Sequence, residues 1–223
     1  FRQQHPCIII TAVALRTRLE IDSLPIWETF ASNNKKQELA NVYVFFEYSI
    51  LGASLLGVLI SLIYCGVTGI SPIPSSSPSR ACILENLPEN LTGNVCELGA
   101  GWGTLAFPMA TALPELEIIA FELSPVPWLF MLLRDKLTRR KNLTIHRRNF
   151  FKDKFNDVSL VVCYLHSECL DKLRPKMESE LEPGTLVLSN TFEIPGWIPE
   201  TIHRLEDSFC PQVYVYRVPP KTV

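Results

Sequence analysis

Residues 95–106 read Val-Cys-Glu-Leu-Gly-Ala-Gly-Trp-Gly-Thr-Leu-Ala, and no other stretch of the chain restricts its fold as strongly. A strand pattern ends at Glu97–Leu98, three alternate glycines follow (Gly99, Gly101, Gly103), and a helical pattern begins near Thr104. Glycine allows a tight backbone turn and lets a ligand approach with no Cβ in the way. Such a turn lies outside the carboxyl end of a strand, which is where doubly wound sheets bind their ligands. The surrounding pattern agrees. Strand-like runs occur at Asn94–Leu98, Glu117–Phe121, Leu143–Arg147, Val158–Tyr164, Thr185–Ser189 and Gln212–Val218. Helical patterns fall between the first five, at Thr104–Ala112, Val126–Arg139 and Ser167–Leu181, the last with a break expected at Pro175. Alternation of this kind predicts an α/β fold, a doubly wound and mostly parallel sheet with helices on both faces and a C-terminal antiparallel strand.

The glycine spacing separates two classes of ligand. Dinucleotide binders use G-x-G-x-x-G and seat a pyrophosphate on the helix N-terminus. Here the spacing is G-x-G-x-G, with Glu97 two residues before the first glycine. An acid at that place repels a pyrophosphate and suits a cationic ligand, such as the amino and sulfonium groups of S-adenosylmethionine. No Gly-Lys-Ser/Thr follows, which excludes a P-loop. Glu122 ends the next strand, nineteen residues after Gly103. An acid there can accept hydrogen bonds from both hydroxyls of a ribose.

Glu97 to Gly103 resembles the first motif of the Rossmann-like, class I S-adenosylmethionine-dependent methyltransferases, and Glu122 their second. The similarity continues through Phe121–Leu129, Val161–Leu165, Leu181–Gly184 and Ser189–Pro199. With the Pro72-Ile73-Pro74-Ser75 approach and the apolar segment before it, the chain looks like a narrower group. That group comprises the membrane-associated lysine methyltransferases of mitochondrial ATP-synthase c subunit and ADP/ATP carrier, and their bacterial relatives. The resemblance covers the chain from about Gly69 onward. It implies S-adenosylmethionine as cofactor, held by Glu97, Gly99, Gly101, Gly103 and Glu122.

Other positions follow from the same resemblance. An Asp after the third strand often contacts adenine in this superfamily; Asn149 stands there instead, as an adenine-binding amide or as a cap of a turn. Tyr164 follows the fourth strand, where methyl acceptors commonly sit, and is the candidate catalytic residue, to orient an acceptor amine or else simply to cap the core. Ser75 and Trp197 are candidates for the acceptor cleft, with core packing the alternative role for Trp197. His166 is a candidate base, but a lone loop His is more often solvated. The four histidines have no metal-ligand spacing and no metal is expected. Between Arg134 and Arg148 stand seven Lys/Arg and one Asp. This reads as a solvated helix end, or else as a surface for anionic lipid or RNA.

Composition bounds the rest. Hydrophobic residues make up 47% and charged residues 20%, enough for a sizeable core. The formal net charge of −2 gives no general attraction to nucleic acid, so a nucleic-acid partner is not expected. Seven cysteines without a C-x-x-C argue for a reducing compartment and against a disulfide scaffold. Much of the hydrophobic excess lies in Val42–Ile70, where Glu47 is the lone charge. From Tyr48 to Ile70 the run is long enough to span a bilayer with some tilt.

Four segments are therefore expected: residues 1–41 with no assigned role, a transmembrane helix at 42–70, a Pro/Ser linker at 71–80, and a methyltransferase domain at 81–223. The first Met is Met109, so the chain as it stands lacks an initiator. The expected enzyme methylates a protein lysine near a membrane, an integral membrane protein being the first choice of substrate. It is anchored through residues 42–70, with its domain in the cytoplasm of a bacterium or the mitochondrial matrix of a eukaryote. The rivals are a small-molecule or lipid methyltransferase, an RNA methyltransferase, and a non-catalytic module of the same fold.

Overall fold

A computed structural model describes residues 33–68, 74–88, 90–206 and 210–221. Two compact units are distinguished, residues 1–56 and 57–223. Most of the N-terminal segment 1–41, and residues 69–73 of the expected transmembrane helix and linker, lie outside the described residues.

Helix α1 spans Asn33–Thr68. Within it Glu38–Tyr64, 27 residues, is long and apolar enough to cross a membrane, with a mean hydropathy of 1.8 over its most apolar window and none of that window buried. Its three described serines return their hydroxyls to the carbonyl four residues back (Ser49 to Phe45, Ser54 to Ile50, Ser61 to Gly57), so they place no unbonded hydroxyl on the apolar surface.

The second unit is built on a seven-stranded sheet. Its strands are β1 (Asn94–Leu98), β2 (Ile118–Phe121), β3 (Leu143–His146), β4 (Val158–Cys163), β5 (Leu186–Asn190), β6 (Thr201–Arg204) and β7 (Gln212–Arg217). Their order is β3-β2-β1-β4-β5-β7-β6. The first five pair in parallel, and β7 is antiparallel to both β5 and β6. The doubly wound expectation holds, and the antiparallel strand is β7, placed inside the sheet rather than at its edge. Strand order reverses between β1 and β4, so the ligand crevice of this topology falls at the carboxyl ends of those two strands.

Alternate strand residues feed two cores. Val95, Ile118, Ala120, Leu160, Val162, Leu186 and Leu188 point to one side, packed by α2 (Ser77–Glu85), α3 (Ala106–Ala112) and Met131 of α4 (Pro125–Thr138). Cys96, Leu98, Phe121, Val161, Cys163 and Val187 point to the other, packed by Leu170, Leu173 and Met177 of α5 (Ser167–Glu180). Strands buried on both faces read as continuous apolar runs, which is why they are visible in the sequence.

Three features differ from expectation. The Pro/Ser stretch read as a linker turns helical at Ser77: the Ser76 hydroxyl caps the Ser79 N–H at 3.2 Å and Pro78 sits in the first turn. Serine and proline mark helix starts as readily as linkers, so composition alone could not separate the two. Helix α5 runs through Pro175 without ending, with Leu173 and Met177 buried on either side. Burial on that face offsets the lost backbone bond. Strand β6 has no apolar alternation because it is a mostly exposed edge strand, held by its pairing with β7.

Candidate active site

Strand β1 delivers Glu97 and Leu98 to the carboxyl edge, and the chain turns through Gly99, Gly101 and Gly103 with φ of +75°, +55° and +71°. Side chains rarely adopt such angles, so glycine is favoured at all three. The N–H groups of Gly99 and Ala100 both donate to the Phe121 carbonyl at 2.9 Å, which fastens the turn to the end of β2. A Cβ on Gly103 would come within 2.8 Å of the Phe107 ring, whereas one on Gly101 would meet nothing within 4 Å. Gly103 therefore serves packing. Gly101 opens onto space that a ligand can occupy.

The next residue after β2 is Glu122, 8% exposed. Its Oε2 accepts from the Gly101 N–H at 2.7 Å and its Oε1 from the Ser124 N–H at 2.6 Å. The two sequence motifs are thus one structure, with the acid of the second holding the middle glycine of the first. Two oxygens engaged once each retain acceptor capacity for further donors.

Glu97 is the more unusual group. It is 4% exposed, and its Oε2 makes no hydrogen bond among the described residues. Burial pushes its carboxyl up to about 8; the Ala106 backbone N–H opposes that shift, and the Glu122 charge adds to it. A buried carboxyl with an orphaned oxygen is costly unless a partner arrives. The partner that suits it is a cation. Glycines at positive φ, open space at Gly101, and two acids of which one is unsatisfied fit the aminoacyl and ribose ends of S-adenosylmethionine.

The loop after β4 closes against this turn, because Leu165 Cδ2 would lie 3.1 Å from a Cβ on Gly99. Beside Leu165, Tyr164 stacks on Phe192 with ring centres 6.2 Å apart. Ser75 is buried, and its hydroxyl accepts from Asn190 Nδ2 at 3.2 Å, which docks the approach to α2 on the carboxyl end of β5. Glu97, the glycines, Glu122, Tyr164 and Ser75 therefore share one edge of the sheet.

Asn149 and Trp197 are placed differently. The Asn149 oxygen caps a short 3-10 turn, accepting from the Phe151 N–H at 2.9 Å, and Phe150 is buried in the core. The Asn149 amide nitrogen is the part of that side chain with donors to offer an adenine edge. Trp197 donates to Glu178 near the end of α5 at 2.7 Å and packs edge-to-face on Tyr216. Tyr216 pairs with Val187, near the start of β5. Residues 191–200 thus carry Trp197 back along the sheet, away from the edge that holds Tyr164. A cavity of about 490 Å³ at that far end, lined by Asp157, Ser159, Glu180 and Thr185 among others, contains none of the candidate site residues.

Asn190 is a site-edge residue to which the sequence reading gives no role of its own. It is fully buried at the end of β5 and is followed by Thr191 at φ +70°, a strained angle for a β-branched residue. Nothing in the local sequence signals that strain. Among the described residues no group of His, Cys, Asp or Glu could hold a metal.

Residues 97–201 match the family model of the ANTKMT methyltransferase domain. A protein-lysine N-methyltransferase of Saccharolobus islandicus (strain REY15A) is 38% identical over 74 residues, 33% of this chain and 46% of that protein. The Xenopus laevis lysine N-methyltransferase of the ATP synthase C subunit is 25% identical over 134 residues, 58% of this chain and 57% of that one. The chain thus spans about half the length of the curated relatives it matches. Among solved structures, an RNA methyltransferase from Salinibacter ruber in complex with S-adenosyl-L-homocysteine superposes with a TM-score of 0.60 at 23% identity. The match covers 68% of this chain and 97% of that one, and at this identity it speaks for the fold alone. Residues 97–201 thus match a methyltransferase-domain model and have the fold of a methyltransferase solved with S-adenosyl-L-homocysteine.

Proposed function

We propose that the protein transfers a methyl group from S-adenosylmethionine to the ε-amino group of a protein lysine close to a membrane. The observation that carries the cofactor half of this reading is the orphaned, buried Glu97 oxygen beside the Gly101 opening. When bound, the cofactor supplies an electrophilic methyl on a sulfonium. Glu97 is assigned to its ammonium group, Glu122 to its ribose hydroxyls and the Asn149 amide nitrogen to adenine. Gly99, Gly101 and Gly103 keep the turn clear of side chains.

Methyl transfer from a sulfonium is an in-line displacement that needs positioning more than acid–base machinery. The acceptor must first be uncharged. Tyr164, Leu165 and Phe192 line the edge next to the glycine turn with aromatic and aliphatic surface, which disfavours an ammonium and favours the free amine. Tyr164 orients that amine. Ser75 shapes the cleft by fixing the approach to β5, and Trp197 acts through the packing of the 191–200 segment. The lysine acceptor is supported by the two lysine methyltransferases among the relatives. Membrane proximity is supported by Glu38–Tyr64, an anchor that overlaps the segment 42–70, and by the ATP synthase component named for the Xenopus relative. A domain in the cytoplasm or the mitochondrial matrix would have both the cofactor and the reducing conditions that suit its buried free cysteines.

The test incubates the full chain with cofactor labelled in the methyl group and membranes from cells lacking the protein. Label recovered as methyl-lysine in a membrane protein is expected. Label that resists protease and partitions into the organic phase as lipid would overturn the lysine assignment.

A further inference from the structure

Helix α4 turns an apolar face outward. At 100° per residue, Val126, Leu129, Phe130, Leu133 and Leu137 fall within an arc of about 100°. Pro127 and Met131 face the core on the opposite side. Leu129 is 51% exposed, Leu133 54% and Leu137 85%, and Leu123 just before the helix is exposed as well. An ordinary surface helix shows the reverse pattern, with its apolar stripe inward.

The borders of this ridge are basic. Lys136, Arg139 and Lys141 are exposed and make no ion pair among the described residues. Arg134 lies over the Phe107 ring at 4.1 Å, and Arg147 over the Trp128 ring. The one acid of the segment, Asp135, is half-buried with its Oδ1 enclosed, and it forms an ion pair with none of these cations among the described residues. An apolar ridge with long cations on both borders and no exposed acid is the pattern of a helix lying in an anionic membrane interface. The apolar stems of Lys and Arg extend such a ridge while their charges reach the headgroups.

We infer that α4 is an interfacial membrane-binding helix, with Leu129, Phe130, Leu133 and Leu137 entering the acyl boundary of a leaflet that contains anionic lipid and Lys136, Arg139 and Lys141 meeting its headgroups. The surface belongs to the second unit and requires neither that α1 spans a bilayer nor that the acceptor is a lysine. It adjoins the candidate site directly. Phe130 packs edge-to-face on Trp102, ring centres 5.5 Å apart, and Trp102 stands between Gly101 and Gly103. Seating α4 on a membrane therefore brings the glycine turn to the lipid surface, where an acceptor group at the bilayer is in reach.

The experiment uses the full chain with Leu133→Cys carrying an environment-sensitive fluorophore, and Ile198→Cys as a second labelled position. Ile198 is 92% exposed and lies on the 191–200 segment. Both are mixed with vesicles of phosphatidylcholine with or without phosphatidylglycerol, and the signal of the unsubstituted chain is subtracted. The label at 133 should shift to the blue and be quenched by brominated lipid tails when phosphatidylglycerol is present, while the label at 198 stays in water. Replacing Lys136, Arg139 and Lys141 by Gln should weaken that contact about a hundredfold, each cation near an anionic surface being worth about fivefold. A label at 133 that matches the one at 198 in anionic vesicles overturns the proposal. So does one that leaves water without vesicles as protein concentration rises, which would mark a second copy as the occupant. Carbonate extraction of the same vesicles reads α1 separately, so its failure is not confused with that of α4.

Discussion

The Glu122 carboxylate accepts the Gly101 N–H at 2.7 Å across 21 residues of chain, so the acid that ends β2 fixes the backbone of the turn that ends β1. Its second oxygen holds the Ser124 N–H. Glu122→Ala removes both bonds along with the acceptors assigned to the ribose. Hydrogen bonds to a charged group are worth about 1.5–3 kcal/mol. Cofactor affinity should fall about 10–100-fold, and the melting temperature should fall with it. Calorimetric titration and thermal unfolding check both effects, and an unchanged affinity would count against the assignment.

Gly101 and Gly103 share a backbone conformation and differ in their surroundings, so their substitutions should separate. Gly101→Val places its side chain in open space at φ +55°. It costs about 1–2 kcal/mol of backbone strain but leaves the domain folded, with cofactor binding lost by obstruction. Gly103→Ala drives a methyl into the Phe107 ring and Met131 and should lower stability further. Melting curves set beside binding isotherms for the two variants distinguish obstruction from misfolding.

The raised carboxyl of Glu97 makes both stability and affinity depend on pH. An acid held up to about 8 in the folded state, against an ordinary 4.5, keeps its proton in the native protein over the interval where the unfolded chain has lost it. The native state then binds more protons, so the cofactor-free protein gains stability from this group below about 4.5 and loses that gain as pH rises towards 8. A cationic ligand selects the carboxylate. Cofactor affinity should rise between pH 6 and 8, with up to one proton released per molecule bound at the lower end. Titration at pH 6.5 in buffers of different ionisation enthalpy measures that release, and its absence would contradict the pairing of Glu97 with a cation.

Trp197 is tied to Glu178 and Tyr216, at the far end of the sheet from Tyr164. Trp197→Phe should lower stability by about 1 kcal/mol, the scale of one partly exposed hydrogen bond, and leave the acceptor KM unchanged. A raised KM with unchanged melting would return Trp197 to the acceptor cleft.

Local sequence determined the motifs and most of the elements. The central parallel strands β1, β2, β4 and β5 were legible because they are buried on both faces and are apolar almost throughout. The turn was legible because φ of +75°, +55° and +71° at alternate positions strongly favours glycine. Helix α2 and strand β6 were not legible, since one begins with residues that also suit a linker and the other is an exposed edge held by main-chain bonds.

Which residues meet was a matter for the tertiary structure. Ser75 reaches Asn190 across 115 residues, and Trp197 is carried away from Tyr164 although both were candidates for one cleft. The ridge on α4 was hidden because its apolar residues have helical periodicity, and periodicity does not say which face the core takes. That choice belongs to the sheet, which packs Pro127 and Met131 and leaves Leu129, Leu133 and Leu137 outside. A sequence specifies what each residue can bury, and long-range packing decides what is buried and what stays exposed.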